Sequence, residues 1–140
     1  MEQYYIYLAT SVVALFFKML AISGYQGFYR IRNTAFCNPE DAKFFNKEPV
    51  AQELPQVIRA SKVWNNDLEN IPIFISLAIV YVFVQAPIGS APYLFYLFVV
   101  SRFLHSLFYL AGIQPWRHIA YLTGQFTMIG MCFLILNEVL

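Results

Sequence analysis

RASKVWNNDLENIPIF, residues 59–74, runs a charged helical pattern straight into an apolar segment. Arg59, Lys62, Asn66 and Glu69 recur at spacings of three and four, so on a helix they share one face. Asp67 stands beside them, and from Ile71 onward the residues suit lipid. Carboxylates and amides at the mouth of a membrane helix are costly to bury and mark a place where polar partners meet.

The composition around this stretch supports a lipid solvent. Of 140 residues, 59% are hydrophobic and only 12% charged, against roughly 25% charged in a soluble domain. So little polar surface would not cover a water-facing globule. Nine Lys and Arg against eight Asp and Glu argue against an acidic polymer as partner, and no nucleic-acid module is present. Cys37 and Cys132 are too few and too far apart for a disulfide scaffold or a metal site, and none is expected.

Working outward, four apolar spans emerge at about 4–24, 66–85, 93–112 and 119–137. The first is long enough to cross a hydrocarbon core of about 30 Å. It begins MEQYY and carries Lys18 near its far end, unlike a cleavable signal peptide, so it reads as a retained helix whose lysine snorkels to the interface or else faces the bundle interior or a ligand. Residues 25–65 form a polar loop, in which Asn38-Pro39 and the acids after it suit a turn and a short interfacial helix. Pro72, in the first turns of the second span, predicts a kink or an opened backbone. Short later connections force neighbours to run antiparallel, giving an all-α four-helix membrane bundle. Basic residues orient it. The first loop holds Arg30, Arg32, Lys43, Lys47, Arg59 and Lys62, the second none and the third Arg117, which places the first and third loops in the cytoplasm.

That topology gathers the unusual polar residues at the cytoplasmic end: Arg30, Arg59, Lys62, Asn66, Asp67, Glu69, His105, Tyr109, Arg117 and Tyr121. Arg102, His105 and Tyr109 lie at i, i+3 and i+7 on one helix face. Arg102 lies deeper, where an unpaired charge costs about 2.5–3.5 kcal/mol, so Asp67 or Glu69 is expected to partner it. Cations with an acid and an amide suit a small zwitterion bearing several carboxylates, since Arg grips carboxylates bidentately and Glu69 accepts from an ammonium.

At these residues the chain resembles the MAPEG family, the membrane-associated proteins in eicosanoid and glutathione metabolism. The likeness is to its branch of microsomal glutathione transferase and prostaglandin E synthase. Three patches carry it: Arg30-Ile31-Arg32 with Asn38-Pro39-Glu40-Asp41-Ala42; Asn66-Asp67-Leu68-Glu69-Asn70 with Pro72-Ile73-Phe74; and Arg102, His105 and Tyr109 followed by Arg117 and Tyr121. The resemblance implies a homotrimer in the endoplasmic reticulum or a bacterial inner membrane. Glutathione would bind between subunits at the cytoplasmic face, lined by Arg30, Lys62, Asn66, Glu69, His105, Tyr109, Arg117, His118 and Tyr121. Arg117 would sit near the cofactor sulfur and favour the thiolate, and Asp41 matches an acid assigned to the isomerase chemistry.

The departures are informative. Lys62 replaces a common arginine and Trp64 a usual histidine, while Asn65 and His118 stand where the prostaglandin synthase has arginine and serine. The expected activity is therefore a glutathione transferase or peroxidase acting on lipophilic electrophiles or lipid hydroperoxides from the bilayer. A glutathione-dependent isomerase and a non-catalytic lipid-binding scaffold are the alternatives.

Overall fold

The computed structural model describes Met1–Leu140 as five helices and no strands. Four of them are long and apolar enough to cross a membrane: α1 (Glu2–Asn33), α3 (Pro55–Phe83), α4 (Ala91–Ala111) and α5 (Trp116–Val139). The fifth, α2 (Pro39–Phe44), is the short helix expected after Asn38-Pro39. Because α3, α4 and α5 follow one another through short turns, they alternate in direction. α3 packs against α1, α4 and α5, while α1 and α5 do not meet.

Helix outlasts hydrophobicity at the charged end. The polar segment 25–65 is not a loop throughout: α1 continues to Asn33, and α3 begins at Pro55. Arg30 and Arg32 in the last turn of α1 suit the negative end of its dipole. Proline at the start of α3 costs no hydrogen bond, because the first amides of a helix have no internal partner. At 32 residues, α1 is roughly 48 Å long at 1.5 Å per residue, and Lys18 falls near its middle rather than at an interface.

Lys18 therefore does not snorkel. Its side chain is 3% exposed and its ammonium pairs with Asp67. Nor does Pro72 open the backbone, since α3 stays helical through it. Ser76 donates to the Pro72 carbonyl at 2.9 Å.

The bundle core falls into two parts. A large apolar cluster fills the end where α1 starts and α3 ends, centred on Phe74, Tyr81, Phe95 and Phe98. Phe74 stacks on Phe98 with ring centroids 4.0 Å apart. A small cluster of Ile22, Ala60 and Val63 closes the opposite end. Between them lies a layer of buried polar residues that includes Lys18, Asp67, Asn70, Arg102 and His105. Large apolar side chains such as Phe16, Phe17, Phe126 and Phe133 point outward, as a lipid solvent requires.

Candidate functional site

The polar layer begins with one carboxylate serving two cations. Asp67 is completely buried; it accepts from Lys18 on one oxygen and from Arg102 on the other, at 2.8 Å from Nη2. The expected Asp67–Arg102 pairing is thus present, and Glu69 is left exposed on α3. Arg102 Nη2 also donates to Asn66 Oδ1 at 2.5 Å. Asn70 donates to the Asn66 carbonyl at 2.6 Å and accepts from Gln125. Side chains from all four long helices are joined in one network, so each buried charge meets an opposite charge or a dipole.

One and two turns above Arg102, α4 brings His105 and Tyr109 toward α5. His105 is buried at 3% exposure, with its ring centroid 5.7 Å from that of Tyr109 and 6.0 Å from that of Tyr121. Its Nδ1 finds no protein partner. The Arg117 guanidinium lies over the Tyr109 ring, 4.6 Å from the centroid. A cation so placed is attracted to the ring face and held in a defined orientation.

Tyr109 and Arg117 line a cleft of about 470 Å³ with Ile58, Arg59, Lys62 and Gln114, closed by Pro55 and Gly112. Three of these residues are cations and none is an acid. α3 supplies Arg59 and Lys62 because residues three apart share a face, and the short turn after α4 returns Arg117 to the same place. Such a lining attracts a small anion.

The other expected residues are distributed differently. Asn66 sits at the joint between the cleft's α3 stripe and the buried network, its oxygen engaged by Arg102 and its amide NH2 left to donate. Arg30 is paired, through Nε at 2.9 Å and Nη2 at 2.7 Å, with Glu53. His118 is exposed, and its Nδ1 lies 2.7 Å from Gln114 Oε1. Asp41 is exposed on α2, which packs against no other helix, and accepts from Asn38 at 3.1 Å. Within one chain, therefore, Lys62, Tyr109 and Arg117 converge with His105 and Tyr121, His118 reaches their cleft only through Gln114, and Arg30, Asp41 and Glu69 do not join them.

Two participants, Asn70 and Gln125, were given no part in the sequence reading and complete the buried network, while Arg59, placed on the polar stripe without a role, lines the cleft. Asn66 and Asn70, four residues apart at a membrane-helix mouth, carried a usable signal. Glu53, far from Arg30 in sequence and in an irregular segment, carried none.

Comparison with known proteins matches the model of the MAPEG family to residues 8–137. A microsomal glutathione S-transferase 1 from Rattus norvegicus is 31% identical over 135 residues, covering 93% of this chain and 85% of the relative. The prostaglandin E synthase of Homo sapiens is 33% identical over 129 residues, covering 89% of this chain and 82% of the relative. The Mus musculus transferase is 32% identical over 126 residues, covering 86% and 81%.

Proposed function

This chain belongs to the MAPEG family, and on that premise we propose that it is a membrane-bound glutathione transferase that also reduces lipid hydroperoxides. The observation that carries this reading is the Arg117 guanidinium, seated on Tyr109 in a cleft of three cations and no acid. Glutathione as thiolate bears three anionic groups and one ammonium. Arg30, Lys62 and Arg117 take up the anionic groups, and a neighbouring cation favours thiolate over thiol. Tyr109 and Tyr121 supply hydroxyls, Asn66 an amide donor, and Glu69 an acceptor for the ammonium.

The exposure of Glu69 and the pairing of Arg30 with Glu53 fit a site completed between subunits of a homotrimer, with the charged end in the cytoplasm. The lipophilic partner enters from the bilayer. With an electrophile, the sulfur forms a bond to carbon and the leaving group departs. With a hydroperoxide, the sulfur takes the distal oxygen, an alcohol leaves, and a second glutathione yields disulfide and water.

Arg117→Ala tests the assignment. Conjugation of a chromogenic aryl halide by purified protein is expected to fall about 10²-fold, the scale set by losing one preorganised donor. Equal rates in the two proteins would remove Arg117 from the chemistry.

A second reading is favoured by one observation: prostaglandin E synthases match this chain at 32–33% identity, no more distantly than the transferases. In an isomerase of lipid endoperoxides the glutathione is regenerated, and Asp41 is the candidate acid. Asn65 and His118 alter the neighbourhood of the thiolate relative to that enzyme. Following glutathione during turnover separates the two, because a transferase consumes it and an isomerase does not.

A further inference from the structure

Arg59 lies on the α3 stripe, yet the proposed chemistry gives it no task. Its side chain crosses to the end of α4, where Nη1 donates to the Tyr109 carbonyl at 3.2 Å. That carbonyl belongs to the last turn, whose acceptors lack partners within the helix, and the Gly112 amide also donates to it at 3.2 Å. The guanidinium then lies across Gly112. A Cβ at Gly112 would sit 2.6 Å from Arg59 Nη1 and 3.7 Å from Cζ. Gly112 also has φ +73°, the left-handed conformation that ends α4. The backbone angle favours glycine, and the missing Cβ leaves the space that the Arg59 guanidinium occupies.

From Gly112 only Ile113 and Gln114 intervene before Pro115 caps α5, and Arg117 lies in its first turn. A turn this short transmits its position to Arg117. We infer that Arg59 is a positioning residue: a latch from α3 onto Tyr109 and Gly112 that holds the Tyr109–Arg117 pair in register with Lys62 and Asn66. Its kinetic consequence rests on the thiolate reading given above; its structural consequence does not.

Full-length protein in detergent carrying Arg59→Lys, Arg59→Gln or Gly112→Ala tests the latch. A lysine keeps the charge but lacks the planar fork that spans the carbonyl and the glycine face. Turnover is expected to fall about tenfold in all three variants, a loss typical of slight misplacement of a reacting group. The glutathione dissociation constant should move less than about threefold, which is the mark of a group that acts on turnover rather than binding. Amide exchange across residues 109–118 should quicken relative to α1 even without glutathione. Wild-type turnover in Arg59→Lys with about tenfold weaker glutathione binding in Arg59→Gln would overturn the latch in favour of a direct charge contact. Gly112→Ala retains every cation, and wild-type exchange and turnover in it would also overturn the latch; because alanine at this positive φ is strained with or without Arg59, additive effects in the Arg59→Lys, Gly112→Ala double variant would overturn it too. Should the wild-type protein bind no glutathione, the transferase reading falls. The exchange comparison still judges the latch: quickened exchange supports it and unchanged exchange rejects it.

Discussion

The two ends of the bundle solve the same problem with opposite materials. At the end where α1 begins, aromatic rings fill the space, and two phenol hydroxyls turn onto one connection. Tyr4 donates to the Ala86 carbonyl at 2.5 Å, and Tyr81 donates to the Pro87 carbonyl at 2.8 Å. Tyr4 satisfies a carbonyl that the turn between α3 and α4 leaves open, and Tyr81 adds a second donor to the Pro87 carbonyl, which also accepts from the Ser90 amide at 3.0 Å. Toward the other end, beneath the small cap of Ile22, Ala60 and Val63, the helices are held by ions and amides, and a cleft remains. Apolar packing fills space without leaving groups for a ligand. Charge at membrane depth leaves directed donors, provided each one is partnered.

The sharpest way to break the comparison is Asp67→Ala. It leaves Lys18 and Arg102 buried without their shared anion, and removing one partner of a buried pair costs about 3–5 kcal/mol. Denaturation of detergent-solubilised protein should show that loss, and a change below about 1 kcal/mol would mean the network is ornamental. The opposite end should respond more gently. Tyr4→Phe removes one hydrogen bond and leaves the ring packed, so about 1 kcal/mol is expected by the same measurement. If Tyr4→Phe proved the costlier change, the contrast between the two ends would be reversed. Smallest is Arg30→Ala. The Arg30–Glu53 pair is partly exposed, at 37% and 21%, and such pairs contribute about 0.2–1 kcal/mol. Its effect should shrink further in added salt. A larger loss of glutathione binding than of stability in Arg30→Ala would show that the ligand replaces Glu53 as its partner.

Much of this was legible in one dimension, and the residues show why. The apolar runs located the four long helices, since lipid permits few alternatives to a continuous helix. The depth of Arg102 demanded an anion, and Asp67 was the nearest in kind. For Lys18 the interfacial reading gave way to the interior one for a specific reason. Its place near the end of the apolar run suggested an interface, but α1 extends to Asn33 and carries it into the interior. Hydropathy reports where lipid-compatible side chains stop, whereas backbone hydrogen bonding decides where the helix stops. Arg59 was placed on the stripe but left without a role, because its contact with Gly112 joins α3 to the end of α4.

By itself, then, the sequence determined a membrane bundle of four long helices, the family, and the end at which polar chemistry collects. Periodicity and the cost of charge in lipid act along the chain and can be read from it. The tertiary structure decided the partners: Lys18 with Asp67, Arg30 with Glu53, Arg117 over Tyr109, and Arg59 on Gly112. A hydrogen bond or an ion pair depends on distances of a few ångströms between segments far apart in sequence. Those distances exist only once the helices have packed.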